Sequence, residues 1–278
     1  MTDNSQDGFN ELADTRYGKV LYNKNDIYVG RSIKEYGEYS ESEVEIFRAI
    51  LKPGDVAMDV GANMGTHTLA MARLVGKYGY VIAFEPQAIV FQTLCANMAL
   101  NSIENADCVN AIVSSVNGYS KLPRFDYTKE GNFGGISVKE YNIGGQIPCV
   151  TLDNAFPNPG KLSLIKIDVE GMELEVIIGA SNIINRIKPT LYVENDKLEK
   201  SEALISAILD MGYNVYWHIA PLFNKNNFYG NKNDVFEGVS SFNMLCIHKS
   251  VKQEIKGFQK VEDKSYHPLR EWWGDKND

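Results

Sequence analysis

The sequence predicts a doubly wound α/β domain, in which helices cover both faces of a mostly parallel sheet. Two observations support this prediction. From Val56 onward, short apolar strands alternate with segments of helical pattern, and acidic residues stand at several of the strand ends. The chain has 278 residues, of which 44% are hydrophobic, and this is enough to bury one large core with appendages.

Each predicted strand is a short apolar run, and proline or glycine punctuates the ends of several helices. Pro189 closes one helix and Gly212 stops another. In chain order the predicted core elements are strand Val56–Val60, helix Thr66–Val75, strand Tyr80–Glu85, helix Ala88–Asn101, strand Asp107–Val113, strand Leu162–Asp168, helix Glu173–Ile187, strand Thr190–Glu194, helix Ser201–Met211, and strands Tyr213–Ile219 and Phe242–His248.

The segment before the first core strand is predicted as an appendage. Residues 1–40 contain the β-rich runs RYGKVLY and DIYVGRSI, which predict an N-terminal β-rich cap. A helix follows, with Ser40 and Ser42 as candidate N-caps. The main domain is expected to span residues 41–250.

Three later segments also interrupt the alternation. Residues 118–150 carry glycine clusters and alternating runs, and we expect a β-rich insertion there. Pro221–Gly238 is a long loop rich in aromatic and amide side chains, which is more often functional than accidental. Residues 251–278 form a charged tail with Trp272 and Trp273, expected to be a loosely docked helix or disordered.

Composition restricts the class of partner and the location. The net charge is −8, so the chain lacks the overall positive field that non-specific nucleic-acid binding requires. The four cysteines have no CxxC spacing and predict neither a zinc site nor a disulfide framework. No secretory signal is visible, and no apolar run approaches the length of a transmembrane segment. We therefore expect a cytoplasmic protein that does not bind nucleic acid.

The stretch VAMDVGANMG joins the first strand to the first helix through a glycine turn, which brings backbone amides close to a ligand. The dinucleotide pattern GxGxxG fails, because from Gly61 the third and sixth positions are Asn63 and Thr66. The phosphate-binding loop pattern fails as well, since no Gly-Lys-Ser/Thr follows. An NAD-dependent oxidoreductase, which shares the topology, remains an alternative.

Acids at the first two strand ends indicate the kind of ligand. Asp59 suits an ammonium group, because a carboxylate repels a pyrophosphate at short range. Glu85 ends the neighbouring strand, where a carboxylate can accept both hydroxyls of a ribose. A ligand with a cationic amino-acid end and a ribosyl end is S-adenosylmethionine.

Three stretches, DVGANMG, AFEPQ and LIKIDVEGMELEVIIGA, together resemble the FkbM family of S-adenosylmethionine-dependent methyltransferases. The resemblance runs from about Tyr17 to the final strand. It implies the class I methyltransferase fold, Rossmann-like, with a seven-stranded, mostly parallel sheet and an antiparallel last strand. It also implies O-methylation of a hydroxyl on a carbohydrate, glycolipid or secondary metabolite, so the expected partner is a small-molecule or glycan acceptor. A cofactor-binding module that has lost catalysis remains a second alternative.

The residues predicted to bind the cofactor lie in the glycine turn and at the next two strand ends. The side-chain amide of Asn63 is expected to supply hydrogen bonds where many methyltransferases have glycine, and Asn110 and Ala111 stand where an adenine edge would lie. The complete set is Asp59, Gly61, Asn63, Gly65, Glu85, Pro86, Asn110 and Ala111.

Candidate catalytic residues are Asp168, Glu170 and His218. Methyl transfer to a hydroxyl needs alignment and a base, and acids at strand ends or a histidine beside the long loop are suited to that role. His67, at the start of the first core helix, is the other candidate histidine. Asn132, in the insertion, is expected to approach the cofactor or the acceptor.

A Mg²⁺ site is a further hypothesis. Asp168, Glu194 and Asn195 end the fourth and fifth strands, and they offer the oxygen ligands that this ion prefers. The arrangement is similar to that of metal-dependent catechol-type methyltransferases. The resemblance to the FkbM family does not itself imply a metal. The loop Pro221–Gly238 suits a polyhydroxylated acceptor, or alternatively is a surface loop held down by its aromatic side chains.

Overall fold

The structure is a computed structural model and describes residues 8–137, 143–252 and 255–270. The strands are β1 (Asn10–Thr15), β2 (Gly18–Asn23), β3 (Val56–Val60), β4 (Tyr80–Phe84), β5 (Ala106–Val109), β6 (Ile112–Val113), β7 (Gly118–Leu122), β8 (Gly145–Val150), β9 (Leu162–Ile167), β10 (Thr190–Glu194), β11 (Tyr213–Pro221), β12 (Ser240–His248) and β13 (Gln259–Lys260). The helices are α1 (Val29–Tyr36), α2 (Glu41–Ile50), α3 (Thr66–Val75), α4 (Ala88–Leu100), α5 (Leu152–Ala155), α6 (Glu173–Gly179), α7 (Ser181–Ile187) and α8 (Leu198–Asp210).

The central sheet has the strand order β13-β11-β12-β10-β9-β3-β4-β5. Strands β5, β4, β3, β9 and β10 pair in parallel, whereas β12 runs antiparallel to both β10 and β11. This topology confirms the doubly wound class I methyltransferase fold with an antiparallel last core strand. The two-residue β13 adds an eighth described strand at the edge, antiparallel to β11. From β3 the chain adds β4 and β5 on one side, and it then returns to add β9 and β10 on the other side of β3. The position between β3 and β9 is therefore a topological switch point, where ligands bind in sheets of this kind.

The apolar strands are buried on both faces by helices. Met58 and Ile165 belong to one buried cluster with residues of α6, α7 and α8, whereas Ala57 and Leu164 belong to another with residues of α2 and α3. Neighbouring positions of a strand point to opposite faces, so both helix layers cover the sheet. The polar residues that follow the strands therefore lie at the carboxyl ends of the parallel strands, between the two layers of helices.

Some element predictions were wrong in detail. The run DIYVGRSI was expected to be β-rich, but it forms α1 from Val29 onward. The Asp26 carboxylate accepts a hydrogen bond from the backbone amide of Tyr28 (2.9 Å) and turns the chain into that helix. The helix expected over Glu173–Ile187 is divided into α6 and α7. At the junction Gly179 packs on the backbone of Ser114, where a Cβ would lie 2.0 Å from the carbonyl oxygen.

The region after β5 also differs from the single strand predicted. The chain leaves the central sheet at Asn110, and β6 pairs in parallel with β8, which pairs antiparallel with β7. Strands β7 and β8 of this three-stranded sheet lie within residues 118–150, and β6 precedes them. Ser40 precedes α2, as expected of an N-cap, but its hydroxyl donates to the Glu43 carboxylate (2.7 Å) rather than capping a backbone amide.

The N-terminal and C-terminal segments contact the core through polar side chains. Asn97 of α4 accepts a hydrogen bond from the amide of Leu21 (2.7 Å) and donates to its carbonyl (3.0 Å), so the β1-β2 hairpin rests on α4. Near the C-terminus the buried His267 ring contacts the Asn195 carbonyl oxygen (2.7 Å). Trp272 and Trp273 lie outside the described residues. Within the described ranges, every helix is too short or too polar to cross a bilayer.

Candidate functional site

A cavity of about 270 Å³ opens at the carboxyl ends of the parallel strands, at the switch point. Its two ends differ in chemistry. One end is formed by the glycine turn after β3, by Glu85 after β4 and by Ala111 after β5. The other end contains Asp168, Glu170 and Glu194 from the ends of β9 and β10. The predicted cofactor and acceptor regions therefore meet in one cavity.

The glycine turn has a backbone that few other residues tolerate. Gly61 has φ 82°, and a Cβ there would lie 1.7 Å from the carbonyl oxygen of Asp168. Asn63 has φ 51° and lies on the cavity wall, but its Oδ1 accepts from the following amide of Met64 (2.7 Å). Part of its hydrogen-bonding capacity thus stabilises the turn itself. Gly65 (φ 87°) packs against Leu94 and does not contribute to the wall.

Glu85 is 4% exposed and faces the cavity from the end of β4. Its two carboxylate oxygens accept hydrogen bonds from the backbone amides of Asn63 (3.1 Å) and Gln87 (2.8 Å). Burial raises the pKa of Glu85 to about 7, although these two amides act in the opposite direction. Each oxygen retains a further lone pair, so the carboxyl group is oriented and can still accept hydrogen bonds from a ligand.

The structure does not bring Asp59 to the cavity wall. Its side chain is fully buried, with one oxygen accepting a hydrogen bond from the Thr68 hydroxyl (2.6 Å) and the other 3.4 Å from Lys166 Nζ. The predicted contact with a ligand ammonium group therefore does not fit this geometry, because a buried lysine of this chain already occupies that position.

Among the remaining predicted cofactor residues, Pro86 and Ala111 lie on the wall, whereas Asn110 does not. The Asn110 amide donates to the carbonyls of Glu85 (2.8 Å) and Pro86 (3.1 Å), and so connects the end of β5 to the turn after β4. Sequence reasoning missed Gln87, which is buried on the wall and donates to the Phe133 carbonyl (2.7 Å). Its position directly after Glu85 and Pro86 was the available signal.

At the other end, Asp168, Glu170 and Glu194 each place a carboxylate oxygen within 4.8 Å of the other two. Burial, followed by the nearby charge of Asp168, raises the pKa of Glu170 to about 7 and that of Glu194 well above its usual range. Glu170 has φ 54° and accepts a hydrogen bond from Lys197 (2.9 Å). One oxygen of Glu194 is buried and has no hydrogen-bond partner among the described residues.

The structure adds Glu170 to the residues that could bind a metal ion. Asn195 is buried and does not line the cavity, and its amide donates to the Ser201 hydroxyl (2.9 Å). Among the described His, Cys, Asp and Glu side chains, Asp168, Glu170 and Glu194 have the spacing of metal ligands. Both Asp168 and Glu170 already form ion pairs, with Lys166 and Lys197 respectively.

The two candidate histidines have different surroundings. His218 does not reach the cavity, because β11 continues to Pro221 and places this residue within the strand rather than at its end. Its Nδ1 lies 2.7 Å from the Tyr192 hydroxyl, and burial lowers its pKa to about 4. His67 is 4% exposed and lies on the wall beside the Tyr39 ring. Burial, with a smaller effect of Lys166, lowers the pKa of His67 to about 3, so its ring is neutral.

The loop Pro221–Gly238 is held against the N-terminal segment. Buried Glu38 accepts hydrogen bonds from the side chain of Asn224 (2.7 Å) and the amide of Phe228 (2.8 Å). Leu222 reaches the cavity wall from the start of the loop, as do Tyr28 and Val29 near the start of α1. Asn132, Gly134 and Gly135 of the insertion also lie on the wall. The aromatic side chains mainly fix the loop, and only its ends border the cavity.

The part of the chain that contains the glycine turn and the clustered acids matches a known protein family. The sequence profile described as "Methyltransferase FkbM domain" matches residues 59–215, which is more than half of the chain. The chain belongs to the FkbM methyltransferase family. This membership confirms the resemblance carried by the three motifs, and it assigns methyl transfer as the activity. The matched range includes the glycine turn, Glu85, the three clustered acids and Lys166.

Solved structures of other methyltransferases have a similar fold. Precorrin-6y C5,15-methyltransferase from Geobacter metallireducens is 12% identical, with 75% of this chain and 89% of that chain covered and a TM-score of 0.49. An FkbM methyltransferase from Methylobacillus flagellatus is 15% identical, with 73% of this chain but only 50% of that chain covered and a TM-score of 0.43. At these identities the likeness concerns the fold alone. No curated protein sequence matches the FkbM chain described here.

Proposed function

We propose that this protein transfers a methyl group from S-adenosylmethionine to a hydroxyl of a carbohydrate, glycolipid or secondary metabolite. The observation that carries the proposal is the single cavity with two chemically distinct ends. Glu85 and the glycine turn form an end suited to a nucleoside, and three acids form the end where a proton can be removed. Family membership fixes methyl transfer, and the cavity supports the choice of cofactor and acceptor.

The residues at the first end fit the nucleoside part of S-adenosylmethionine. Glu85 is fixed by two backbone amides and keeps acceptor capacity for ribose hydroxyls. Ala111, Phe84 and Ile112 add apolar wall that suits a purine ring. Gly61 leaves no room for a side chain, which lets the backbone itself face the ligand. The bound cofactor would supply an electrophilic methyl group on a sulfonium.

The residues at the second end supply the base. We assign this role to Glu170, because a carboxylate with a pKa of about 7 is partly ionised at neutral pH and accepts a proton readily. With the cofactor bound, the acceptor oxygen would gain the methyl carbon as the carbon–sulfur bond breaks, and the hydroxyl proton would pass to the Glu170 carboxylate. Asp168, held by Lys166, lies between Glu170 and the glycine turn, where it meets both the acceptor hydroxyl and the methionine end of the cofactor.

The polar character of the cavity mouth supports a polyhydroxylated acceptor. Ser240 and Ser241 at the start of β12 and Asn132 in the insertion offer hydrogen-bonding groups, and Tyr28 and Tyr39 offer ring faces. Sugars require both kinds of contact, because their hydroxyls need partners and their C–H faces pack on aromatic rings. The wall between Tyr28 and Ser240 is therefore the proposed acceptor region.

Calorimetry with S-adenosylmethionine, followed by methylation assays on a panel of sugars, glycolipids and phenols, tests the proposal. We expect micromolar binding by the wild type, about −8 kcal/mol. Glu85→Gln should weaken that binding, whereas Glu170→Gln should keep it and lose the transfer rate. The exposed change Glu104→Gln, in the turn before β5, serves as a control. A thermal shift with NAD but none with S-adenosylmethionine would refute the proposed cofactor.

A further inference from the structure

We propose that Lys166 is a positioning residue, which holds the turn after β3 and the acid after β9 in the arrangement that binds the methionine end of the cofactor. The inference rests on the proposed function, because the ligand is S-adenosylmethionine. It also reassigns Asp59, which becomes the buried partner of Lys166 instead of a ligand contact.

The ammonium group of Lys166 lies among three oxygen atoms. Its Nζ is 3.1 Å from the carbonyl of Gly61, 3.2 Å from Asp168 Oδ2 and 3.4 Å from Asp59 Oδ1. Nζ donates hydrogen bonds to Gly61 and Asp168, whereas Asp59 Oδ1 lies at ion-pair distance and has no hydrogen-bond partner among the described residues. Lys166 borders the cavity, but its donors are directed to groups of the protein, and it acts on a ligand only through them.

Electrostatics keeps this lysine charged. Burial alone would lower its pKa, but Asp168, Asp59 and Glu43 together hold the pKa of Lys166 well above its ordinary value. The side chain is 4% exposed, and Asp59 faces it directly in the parallel register of β3 and β9. A buried ammonium group needs such a partner, because removing one member of a buried pair costs about 3–5 kcal/mol.

Two of the three oxygen-bearing residues form the cavity wall. Gly61 and Asp168 both line it, whereas Asp59 does not. The two also pack without spare room, since a Cβ on Gly61 would lie 1.7 Å from the Asp168 carbonyl. Lys166 bonds to the carbonyl of one and the carboxylate of the other, so its loss changes the positions of both. Lys166 thereby links the sheet to the ligand-facing atoms.

Separate replacement of the two charges distinguishes positioning from simple stabilisation. The variants are Lys166→Met, Asp59→Asn and the double variant Asp59→Asn/Lys166→Met, with Thr68→Val as a matched control that removes a hydrogen bond to Asp59 without changing the contacts of Lys166. Thermal unfolding measures the fold, and calorimetry measures dissociation constants for S-adenosylmethionine and for adenosine.

Lys166→Met leaves the Asp59 charge buried and unpaired, so we expect a large loss of thermal stability. The double variant has no buried charge at this position and should recover most of that loss. Its affinity for S-adenosylmethionine should nevertheless remain at least tenfold below that of the wild type, while its affinity for adenosine stays within threefold. Asp59→Asn and Thr68→Val should both stay within threefold for S-adenosylmethionine, because Lys166 keeps its contacts with Gly61 and Asp168.

Wild-type affinity for S-adenosylmethionine in the double variant would overturn the positioning role and leave the proposed function intact. A tenfold loss in Asp59→Asn, equal to that of the double variant, would also overturn it, since Asp59 would then act as the direct contact. Absence of binding by the wild type would instead overturn the proposed function, and the positioning role with it. If the double variant does not fold, Asp59→Asn decides: affinity for S-adenosylmethionine within threefold of the wild type supports the positioning role, and a tenfold loss overturns it.

Discussion

Gly61 packs so closely against Asp168 that the two residues join the ends of β3 and β9 at the centre of the cavity. A Cβ at Gly61 would overlap the Asp168 carbonyl oxygen at 1.7 Å, and the φ of 82° is itself unfavourable for other residues. We expect Gly61→Ala to lower the free energy of unfolding by more than about 2 kcal/mol and to abolish measurable binding of S-adenosylmethionine.

Gly54→Ala is the matched control for that experiment. Gly54 also has a positive φ, 90°, but nothing lies within 4 Å of the position of its Cβ. This variant should show only the backbone cost, about 1 kcal/mol, and normal cofactor binding. Equal effects of the two substitutions in denaturant unfolding would show that backbone strain, and not contact with Asp168, determines the result.

The dependence of stability on pH should change when Glu43 is replaced. Burial raises the pKa of Glu43 from 4.5 to about 7, so its favourable contribution is complete below about pH 4.5 and is lost as pH rises through 7. Relative to the wild type, Glu43→Gln should therefore gain stability between pH 4.5 and 8, by about 1.4 kcal/mol for each unit of pKa shift removed. Urea unfolding at several pH values measures this difference, with the exposed change Glu45→Gln on the same helix as control.

Replacing Lys197 should move the pH profile of methylation. The Lys197 ammonium group bonds to Glu170 (2.9 Å) and lowers the pKa of that carboxyl group. Lys197→Met should raise this pKa further. Because the base must be ionised to accept a proton, the acidic limb of the profile of kcat against pH should then move to higher pH. Lys200→Met is the control, because Lys200 donates to the Gly171 carbonyl instead. An unshifted limb in Lys197→Met would exclude Glu170 as the base.

His218 should contribute to stability and not to cofactor binding. It lies outside the cavity and contacts the Tyr192 hydroxyl. His218→Phe leaves that hydroxyl buried without its partner, which should cost about 1–3 kcal/mol, and Tyr192→Phe in the same chain should restore part of the loss. Binding of S-adenosylmethionine should change less than twofold in either variant. A methylation rate that falls more than tenfold without loss of stability would contradict this assignment.

Chelation of divalent metal should leave methylation unchanged. Lys166 and Lys197 already neutralise part of the charge on Asp168 and Glu170, and the Asn195 amide predicted as a metal ligand bonds to Ser201. The rate should therefore be the same with and without EDTA. A loss of rate that added Mg²⁺ restores would show that the acids bind a metal.

The sequence alone predicted most of the core elements and the fold class. Strands β3 and β10 and helix α3 have the predicted bounds, because apolar runs and adjacent glycine or proline mark their ends. The three motifs also identified the family, and Glu85, Asp168 and Glu170 do lie on one cavity wall. These residues follow strands whose carboxyl ends meet at one edge, so their proximity follows from topology.

Tertiary structure decided which of the polar residues face the cavity. Asp59 and Asn195 occupy strand-end positions like those of Glu85 and Glu194, yet both side chains are directed into the core, towards Lys166 and Ser201. The division of the helix at Gly179 and the departure of the chain at Asn110 likewise depend on contacts between residues distant in sequence.

Local sequence therefore determined where strands end and which chemical groups stand there, because periodicity and chain-breaking residues act over short distances. It did not determine how those groups pair, since pairing depends on burial and on charges brought together by folding. Lys166 shows this difference. Its place in an apolar strand was visible in the sequence, but its three oxygen partners come from β3, the glycine turn and the end of β9, and only the folded sheet places them around one ammonium group.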